Sequence, residues 1–194
     1  ENNTIVGTPK LIPDLPPGPL LGPIAINFLH SQNITLRNNT IINFSKALSL
    51  EWSSGHTIIG NNLIDGISGI DLWNSYNCTF RANRLTNCSF SIRTYSSYEY
   101  QNDMDSSNTV EGKPIYYWIN TQEKAIPVDA ASVVLVNCTN ITVNDTRPTG
   151  VTLINTKNCT LSRLNMTEHG DGINLLNCSH INILDCKIGK EAIG

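Results

Sequence analysis

The residues best suited to acid–base chemistry lie near the end of the chain, in the sequence Thr-Glu-His-Gly-Asp-Gly at positions 167–172. Glu168, His169 and Asp171 offer two carboxyl groups and an imidazole, the side chain that titrates closest to neutral pH. Hydrolysis of a glycosidic bond requires two carboxyl groups about 5 to 9.5 Å apart, flanking the bond. Asp-Gly is also a frequent turn pair. The three residues are therefore weak candidates for acid–base catalysis.

Aromatic residues suggest a second kind of chemistry, because a sugar ring can stack on an exposed aromatic side chain. Trp52, Trp73 and Tyr98 are the candidates for such a surface, and Tyr98 belongs to a tyrosine-rich segment at 95–100. A carbohydrate-binding or polysaccharide-cleaving module is therefore the alternative hypothesis for function.

The composition limits the classes of protein to consider. Of the 194 residues, 40% are apolar, 15% are charged and 25 are Asn, and the net charge is −3. A disordered chain lacks β-branched residues, a coiled coil is rich in Ala, Glu, Lys and Leu, and a nucleic-acid-binding domain carries a basic face. No apolar run approaches the length of a membrane span, about 18 residues. We therefore expect one folded domain that neither binds nucleic acid nor spans a membrane.

An internal repeat of 22 residues organises the chain. Six windows of sixteen residues align with spacings of 22, 22, 18 and 22 inside two blocks, and their first and third positions are apolar throughout. The windows start at Ile26, Leu48, Ile70, Val133, Val151 and Ile173. Apolar residues two apart lie on one side of a strand. The pattern predicts an all-β fold, a right-handed parallel β-helix with about 22 residues per coil.

Asn residues recur at the bends between the predicted strands. The fourteenth position of the window begins with Asn39, Asn61 and Asn83, and we expect their side chains to hydrogen-bond from coil to coil as a ladder. The eighth position is also rich in Asn, which tolerates the left-handed backbone of a sharp bend. It holds Asn33, Gly55, Asn77, Asn140, Asn158 and His180.

Asn-x-Ser/Thr sequons for glycosylation are abundant in the chain. Four of them arise from the eighth position of the repeat and are expected to be buried and unmodified: Asn33, Asn77, Asn140 and Asn158. Three others lie at outer bends and are the candidate glycan sites of an exported protein: Asn43, Asn87 and Asn144.

Two segments depart from the repeat. Residues 1–23 contain six of the nine prolines, which are excluded from the interior of a sheet, so we expect an extended, largely polyproline-II arm. This arm either lies along the solenoid or crosses to a neighbouring molecule. Residues 95–131 predict a β-hairpin excursion around Gly112 and Pro114. The β-helix domain itself spans residues 24–194.

The repeat brings together neither a catalytic pair nor a metal-binding set. No neighbouring coil supplies a second acid, and no Cys-x-x-Cys or His-Glu-x-x-His spacing is present. His56 and most cysteines occupy apolar positions, which favours core residues over ligands. Cys88 and Cys186 stand apart and are the better candidates for a cross-link. We therefore expect no enzyme activity, no metal and no cofactor, with calcium at Asp171 as an open alternative.

The Asn-rich coils, the segment 108–120 (NTVEGKPIYYWIN) and the run at 134–143 (VLVNCTNITV) resemble the NosD-like parallel β-helix family. More specifically, they resemble the many domains of this kind in surface and secreted proteins of methanogenic archaea. The resemblance implies a cell-surface or extracellular repeat domain, of a fold often associated with carbohydrate binding and sugar hydrolysis.

These observations favour a non-enzymatic structural component of an archaeal cell envelope or extracellular assembly, such as a surface layer, sheath or filament. Its expected partners are other copies of the chain, through the coil ends and the N-terminal arm, and glycans. An uncapped solenoid end exposes strand edges that can pair with another coil.

Overall fold

The computed structural model describes residues 3–7, 22–93, 100–166 and 171–189. These residues form 23 short β-strands, and no helix occurs among them, so none is long and apolar enough to cross a membrane. The commonest spacing between paired strands of successive coils is 22 residues, as in Ile26 opposite Leu48. The spacing is 18 residues for Val133 opposite Val151, and from residue 24 onward it ranges from 17 for Ile115 opposite Ser132 to 25 for Arg84 opposite Thr109. The predicted all-β solenoid and its repeat are confirmed.

The first stack has coils of three strands each, and strands at the same place in successive coils pair in parallel. The apolar window positions fall in register, since Ile26 pairs with Leu48 and Leu48 with Ile70. Its strands are β1 (Thr4–Val6), β2 (Ile24–Leu29), β3 (Thr35–Arg37), β4 (Thr40–Ile42), β5 (Lys46–Glu51), β6 (Thr57–Ile59), β7 (Asn62–Ile64), β8 (Ser68–Trp73), β9 (Thr79–Arg81), β10 (Arg84–Thr86), β11 (Ser89–Arg93), β12 (Asp103–Met104) and β13 (Thr109–Val110).

The second stack follows a reversal of chain direction. Its strands are β14 (Lys113–Ile119), β15 (Gln122–Ala125), β16 (Ser132–Val136), β17 (Thr139–Asn144), β18 (Gly150–Ile154), β19 (Lys157–Ser162), β20 (Asn165–Met166), β21 (Gly172–Leu176), β22 (Ser179–Leu184) and β23 (Lys187–Ile188). Strands β13 and β14 form an antiparallel hairpin across Glu111 and Gly112, which both have positive φ as a type I′ turn requires.

The predicted hairpin is therefore present, but its strands remain within the sheets. Strand β13 pairs in parallel with β10, and β14 pairs in parallel with β16, so one sheet of nine strands runs through both stacks. The windows that begin at Ile70 and Val133 consequently lie in different sheets, although their sequences align. The reversal, and not a loop outside the stack, separates the two blocks of the repeat.

The sheet of β14, β16, β18 and β21 separates two hydrophobic cores. Along β16, Val134 packs with the first core and Leu135 with the second, and both are buried. The Tyr117 hydroxyl on β14 donates a hydrogen bond of 2.7 Å to the Tyr100 carbonyl, in the last coil of the first stack. The second stack thus packs against the end of the first, which explains why β16 and β18 are apolar on both faces.

The N-terminal segment contributes a strand that the sequence analysis did not foresee. Thr4–Val6 pairs in parallel with Thr40–Ile42 at the edge of the nine-stranded sheet, as β1. This strand precedes all nine prolines and lies within the predicted arm of residues 1–23, so the arm is not extended coil throughout. Residues 8–21, which make up most of that arm, are outside the described residues.

The corners between strands are made by residues with a left-handed backbone. Among the described residues, 22 non-glycine residues have positive φ, and 12 of them are Asn. Asn accepts this conformation at lower cost than other L-residues because its short polar side chain can hydrogen-bond locally. Corners with a left-handed backbone therefore account for 12 of the 25 Asn residues.

A ladder of buried Asn side chains holds one corner of the first stack. The backbone N–H of Asn39 donates to Oδ1 of Asn61, and that of Asn61 to Oδ1 of Asn83, both at 3.0 Å. The carboxamide groups also hydrogen-bond to each other: Nδ2 of Asn39 donates to Oδ1 of Asn61 at 3.2 Å, and Nδ2 of Asn61 donates to Oδ1 of Asn83 at 3.0 Å. The predicted ladder is confirmed, and Asn3 and Asn108 extend it at its two ends.

Other corners use the same arrangement with different acceptors. The N–H of Ser31 donates to Oγ of Ser53, and the N–H of Ile141 donates to Sγ of Cys159. The N–H of Ile34 donates to Nδ1 of His56, whose pKa is lowered by burial, so the neutral ring can accept. In each case the strand pairing leaves a backbone N–H at the corner without a carbonyl partner. An inward-pointing side chain of the next coil accepts a hydrogen bond from this N–H.

The expectation that the Asn residues of the eighth position are buried is wrong. Asn33, Asn77, Asn140 and Asn158 are all exposed and have positive φ. The left-handed corner turns their own side chains outward, and the following residue points into the core. Gly55 has the same place with φ of 70°, where a Cβ would clash with Oδ1 of Asn33.

We expect Asn61→Ala to lower the free energy of unfolding by about 2–4 kcal/mol, because the buried N–H and carboxamide of Asn39 lose their acceptor. Denaturant unfolding measures the change. Asn158→Gly at an exposed corner is the control and is expected to change stability by less than about 1 kcal/mol. Equal losses in the two variants would contradict the ladder's role.

Candidate functional site

Of the three acid–base candidates, the structure describes Asp171. Glu168 and His169 lie outside the described residues. Asp171 is exposed and lines a cleft of about 380 Å³ between the end of the first stack and the second stack, together with Arg93 and Asn174. The described walls of this cleft carry one carboxylate and one guanidinium, and they do not form the pair of carboxyl groups that glycoside hydrolysis needs.

The three aromatic candidates differ in how exposed their side chains are. Trp52 is 48% exposed at a corner of the first stack, and its ring stacks on that of His30 with centroids 6.4 Å apart. Trp73 is half-buried in β8, and Tyr98 lies outside the described residues. Of the three candidates, Trp52 is the one that the described residues show to be exposed.

The candidate glycan sites also differ in accessibility. Asn87 is exposed, whereas Asn43 and Asn144 are half-buried. The Asn87 carboxamide donates to Oδ1 of Asp65 at 3.0 Å, so a glycan attached to this nitrogen would have to replace that contact. Glycosylation at the three positions stays a prediction.

A buried ion pair escaped the sequence reasoning. Asp71 is 2% exposed on the outward face of β8, and its carboxylate lies 2.5 Å from Nζ of Lys46 and 3.9 Å from Nε of Arg93. Ser49 and Ser91 pair on either side of it and are also buried. The sequence signal for this buried ion pair was the presence of small residues around a single acidic residue on the outward face of a strand. The opposite charges offset the cost of burying the carboxylate.

The last described coil presents an apolar end. Leu175, Ile183 and Ile188 are between 45% and 51% exposed. Their partners in the preceding coil, Leu153, Leu161 and Met166, are buried in the second core. Strands β21, β22 and β23 are each the terminal strand of their sheet. This surface, which we call the open end, has the side-chain pattern of a core layer and the backbone of a sheet edge.

Comparison with known proteins identifies the relationship. The sequence model of a family described as periplasmic copper-binding protein (NosD) matches residues 24–129, more than half of the chain. The chain belongs to the NosD family. The resemblance noted from the coil pattern is thereby confirmed. Comparison with curated proteins gives no match.

The family's description raises the question of whether this NosD chain could hold copper, which prefers cysteine, methionine and imidazole ligands. Within the described ranges, no group of three or more His, Cys, Asp or Glu residues is placed to hold a metal ion. Cys78 and Cys88 are buried, and their thiols donate to backbone carbonyls. Burial raises the pKa of both thiols, that of Cys88 to about 12, and so opposes the thiolate that binds metal. The described residues therefore do not fit a copper site.

The cross-link suggested for Cys88 and Cys186 is not formed in this NosD chain. All six cysteines are free. Cys88 is buried in the first core, while Cys186 lies half-buried in the last coil, so the two belong to different stacks. Like the other buried cysteines, Cys88 serves as a small core residue that also hydrogen-bonds to a carbonyl.

We expect two fast-reacting thiols and four protected ones with a thiol reagent at pH 8. Cys178 and Cys186 are half-buried at the open end, while Cys78, Cys88, Cys138 and Cys159 are buried and have raised pKa values. The double variant Cys178→Ser, Cys186→Ser should lose the fast phase and keep the four thiols that react only after unfolding. Fast reaction of the buried group in the native protein would contradict the placement of these cysteines.

Proposed function

We propose that this chain is a non-enzymatic structural module of an assembly outside the cytoplasm, built by the stacking of β-helical coils. The observation that carries the proposal is the open end. Three core-type side chains are about half exposed there, although the equivalent residues one coil earlier are buried. Exposed apolar area of this kind favours association, at roughly 25 cal/mol for each Å² removed from water.

The backbone of the open end supports the same proposal. Within the described ranges, no further strand pairs with the outer edges of β21, β22 and β23, and these edges offer N–H and C=O groups to an added strand, as sheet edges do in strand-addition complexes. Each of the three sides of the coil contributes one edge, so a whole coil can pair at once. The partner that fits has the same three-sided coil.

The hydrogen-bond donors at the corners of the open end further restrict which partner can bind there. Cys178 and Ile181 occupy the positions of Cys138 and Ile141, whose N–H groups donate to side chains of the following coil. An incoming coil should therefore carry hydroxyl, thiol or amide acceptors at its corners and apolar residues on its inner face. The first coil of this chain carries the acceptor Ser31 at the position of Cys178 and the apolar residue Ile34 at the position of Ile181, so it supplies an acceptor at the first of these two positions. We propose a second copy as the partner.

The setting we propose is a surface layer, sheath or filament of an archaeal cell. The family's description as periplasmic supports the extracytoplasmic part of this proposal. The archaeal setting comes from the resemblance of the coils to archaeal surface proteins. Glycans on Asn43, Asn87 and Asn144 belong to the same proposal.

Sedimentation of the purified chain over a range of concentrations tests assembly. We expect concentration-dependent association that Ile183→Lys abolishes, because the substitution places a charge within the apolar contact. The control is Val128→Lys, which changes another exposed apolar residue away from the open end and should associate like the wild type.

Two outcomes would overturn the proposal. One is a wild-type chain that stays monomeric at high concentration, and the other is an Ile183→Lys variant that associates as the wild type does. The thermal unfolding midpoint of both variants is measured alongside, so that loss of folding is not taken for loss of assembly.

A further inference from the structure

His56 is a titratable residue that points into the interior of the first stack. It occupies the ninth position of the repeat, where the coils on either side carry Ile34 and Cys78. It is 1% exposed, and the centroid of its ring lies 4.7 Å from that of Phe28. The backbone N–H of Ile34 donates to Nδ1 of His56 at 3.1 Å. Nδ1 therefore carries no proton, and the neutral ring holds its one N–H at Nε2.

The surroundings of His56 oppose a second proton on the ring. Protonation at Nδ1 would turn the acceptor into a donor, so that two N–H groups would face each other across the contact with Ile34. Nε2 is also buried and has no hydrogen-bond partner among the described residues. An imidazolium here would thus be a buried charge without compensation. Burial accordingly lowers the pKa of His56.

Within the described ranges, no carboxylate forms an ion pair with His56. Phe28 and Ile34, which face it from the preceding coil, do not titrate. The Cys78 thiol accepts from the His56 backbone N–H, and burial raises the pKa of this thiol, which keeps it neutral. The other charged or titratable side chains of β2, β3, β5, β6, β9 and the corners between them are at least partly exposed: His30, Arg37, Lys46, Glu51, Tyr76 and Arg81.

The contact with His56 is one of three that hold the corners of the first coil. Backbone N–H groups of this coil donate to inward side chains of the second coil in the pairs Ser31–Ser53, Ile34–His56 and Asn39–Asn61. Of these three acceptors, the imidazole is the one that titrates near neutral pH. Strands β2 and β3 are terminal in their sheets, so the first coil can open without disrupting the coils beyond it.

We propose that His56 is a proton switch, which holds the first coil in place near neutral pH and releases it in acid. The opened coil takes up a proton at the ordinary histidine pKa of 6.5, whereas the folded coil takes it up only at lower pH. The unfolded coil therefore binds more protons as the pH falls below 6.5. The stability of the first coil is highest above this pH and decreases progressively below it.

The switch has a consequence for assembly. The first coil of a second copy is the part that we propose to dock on the open end, so its release in acid should weaken association. This consequence alone rests on the proposed function, because the opening of the coil takes place within one chain.

Hydrogen exchange of the full chain, followed by NMR at pH 7.5 and pH 5.0, tests the switch. After correction for intrinsic rates, we expect the protection of the Ser31 and Ile34 amides to fall in acid relative to that of Leu153 in the second stack. The fall can reach about thirtyfold at pH 5.0, the limit for a group with an ordinary pKa of 6.5 that stays neutral in the folded coil.

His56→Asn should remove this fall, because an Asn already accepts at the equivalent corner of a later coil. There the N–H of Cys78 donates to Oδ1 of Asn102 at 3.0 Å. The matched control is His30→Asn, which removes an exposed histidine of the first coil and should keep the fall. The proposal is overturned if the wild-type protection does not decrease in acid relative to Leu153, or if His56→Asn shows the same decrease.

Two further measurements separate the switch from folding and from assembly. Titration of the His56 ring by NMR in the wild type needs no variant, and a midpoint at or above pH 6.5 would overturn the switch. Sedimentation at the two pH values should show weaker association in acid for the wild type but not for His56→Asn. A chain that is monomeric at both pH values, with acid-sensitive protection of Ile34, would contradict the proposed assembly and support the switch.

Discussion

The whole structure depends on one requirement, that the buried N–H group at each coil corner find an acceptor. Strand pairing satisfies the backbone along the sides of a coil, but at a sharp corner the inward residue turns its N–H away from the strand above. A buried donor without a partner costs about 1–3 kcal/mol, and every coil has several corners. The chain meets the requirement by placing Asn, Ser, Thr, Cys or His at the next coil's corner, as the bond from Asn39 N–H to Asn61 illustrates.

This requirement also explains how much of the fold could be predicted from the sequence. The spacing of apolar residues gives the register of the coils, because each buried column must repeat at the coil length. The Asn ladder was predictable for the same reason. The prediction of buried Asn residues at the eighth position was wrong. At this position Asn is favoured because it tolerates a left-handed backbone, and its side chain makes no ladder. Asn33 is consequently exposed, while Asn39, six residues later and directly after the corner at Asn38, is buried.

The reversal between the stacks could not be predicted from the repeat. The windows on both sides have the same apolar pattern, since a strand that borders a core needs the same residues whichever way it runs. The type I′ turn at Glu111 and Gly112 signals a hairpin, but the sequence does not indicate that its second strand starts a new stack. The apolar residues on both faces of β16, such as Val134 and Leu135, were the remaining signal, because a strand between two cores is apolar without alternation. The candidate surfaces show the same limit. The exposure of Trp52 is set at its own corner, whereas the burial of Asp71 and the exposure of Ile183 depend on which coils are neighbours.

Amide hydrogen exchange followed by NMR tests the corner requirement most directly. If the ladders satisfy the buried corners, the N–H groups of Asn39, Asn61 and Asn83 should exchange as slowly as that of Leu63, which lies within a central strand. Exchange of these three N–H groups at the rate of an exposed loop residue such as Val128 would contradict the account, because the corners would then open without unfolding the coil.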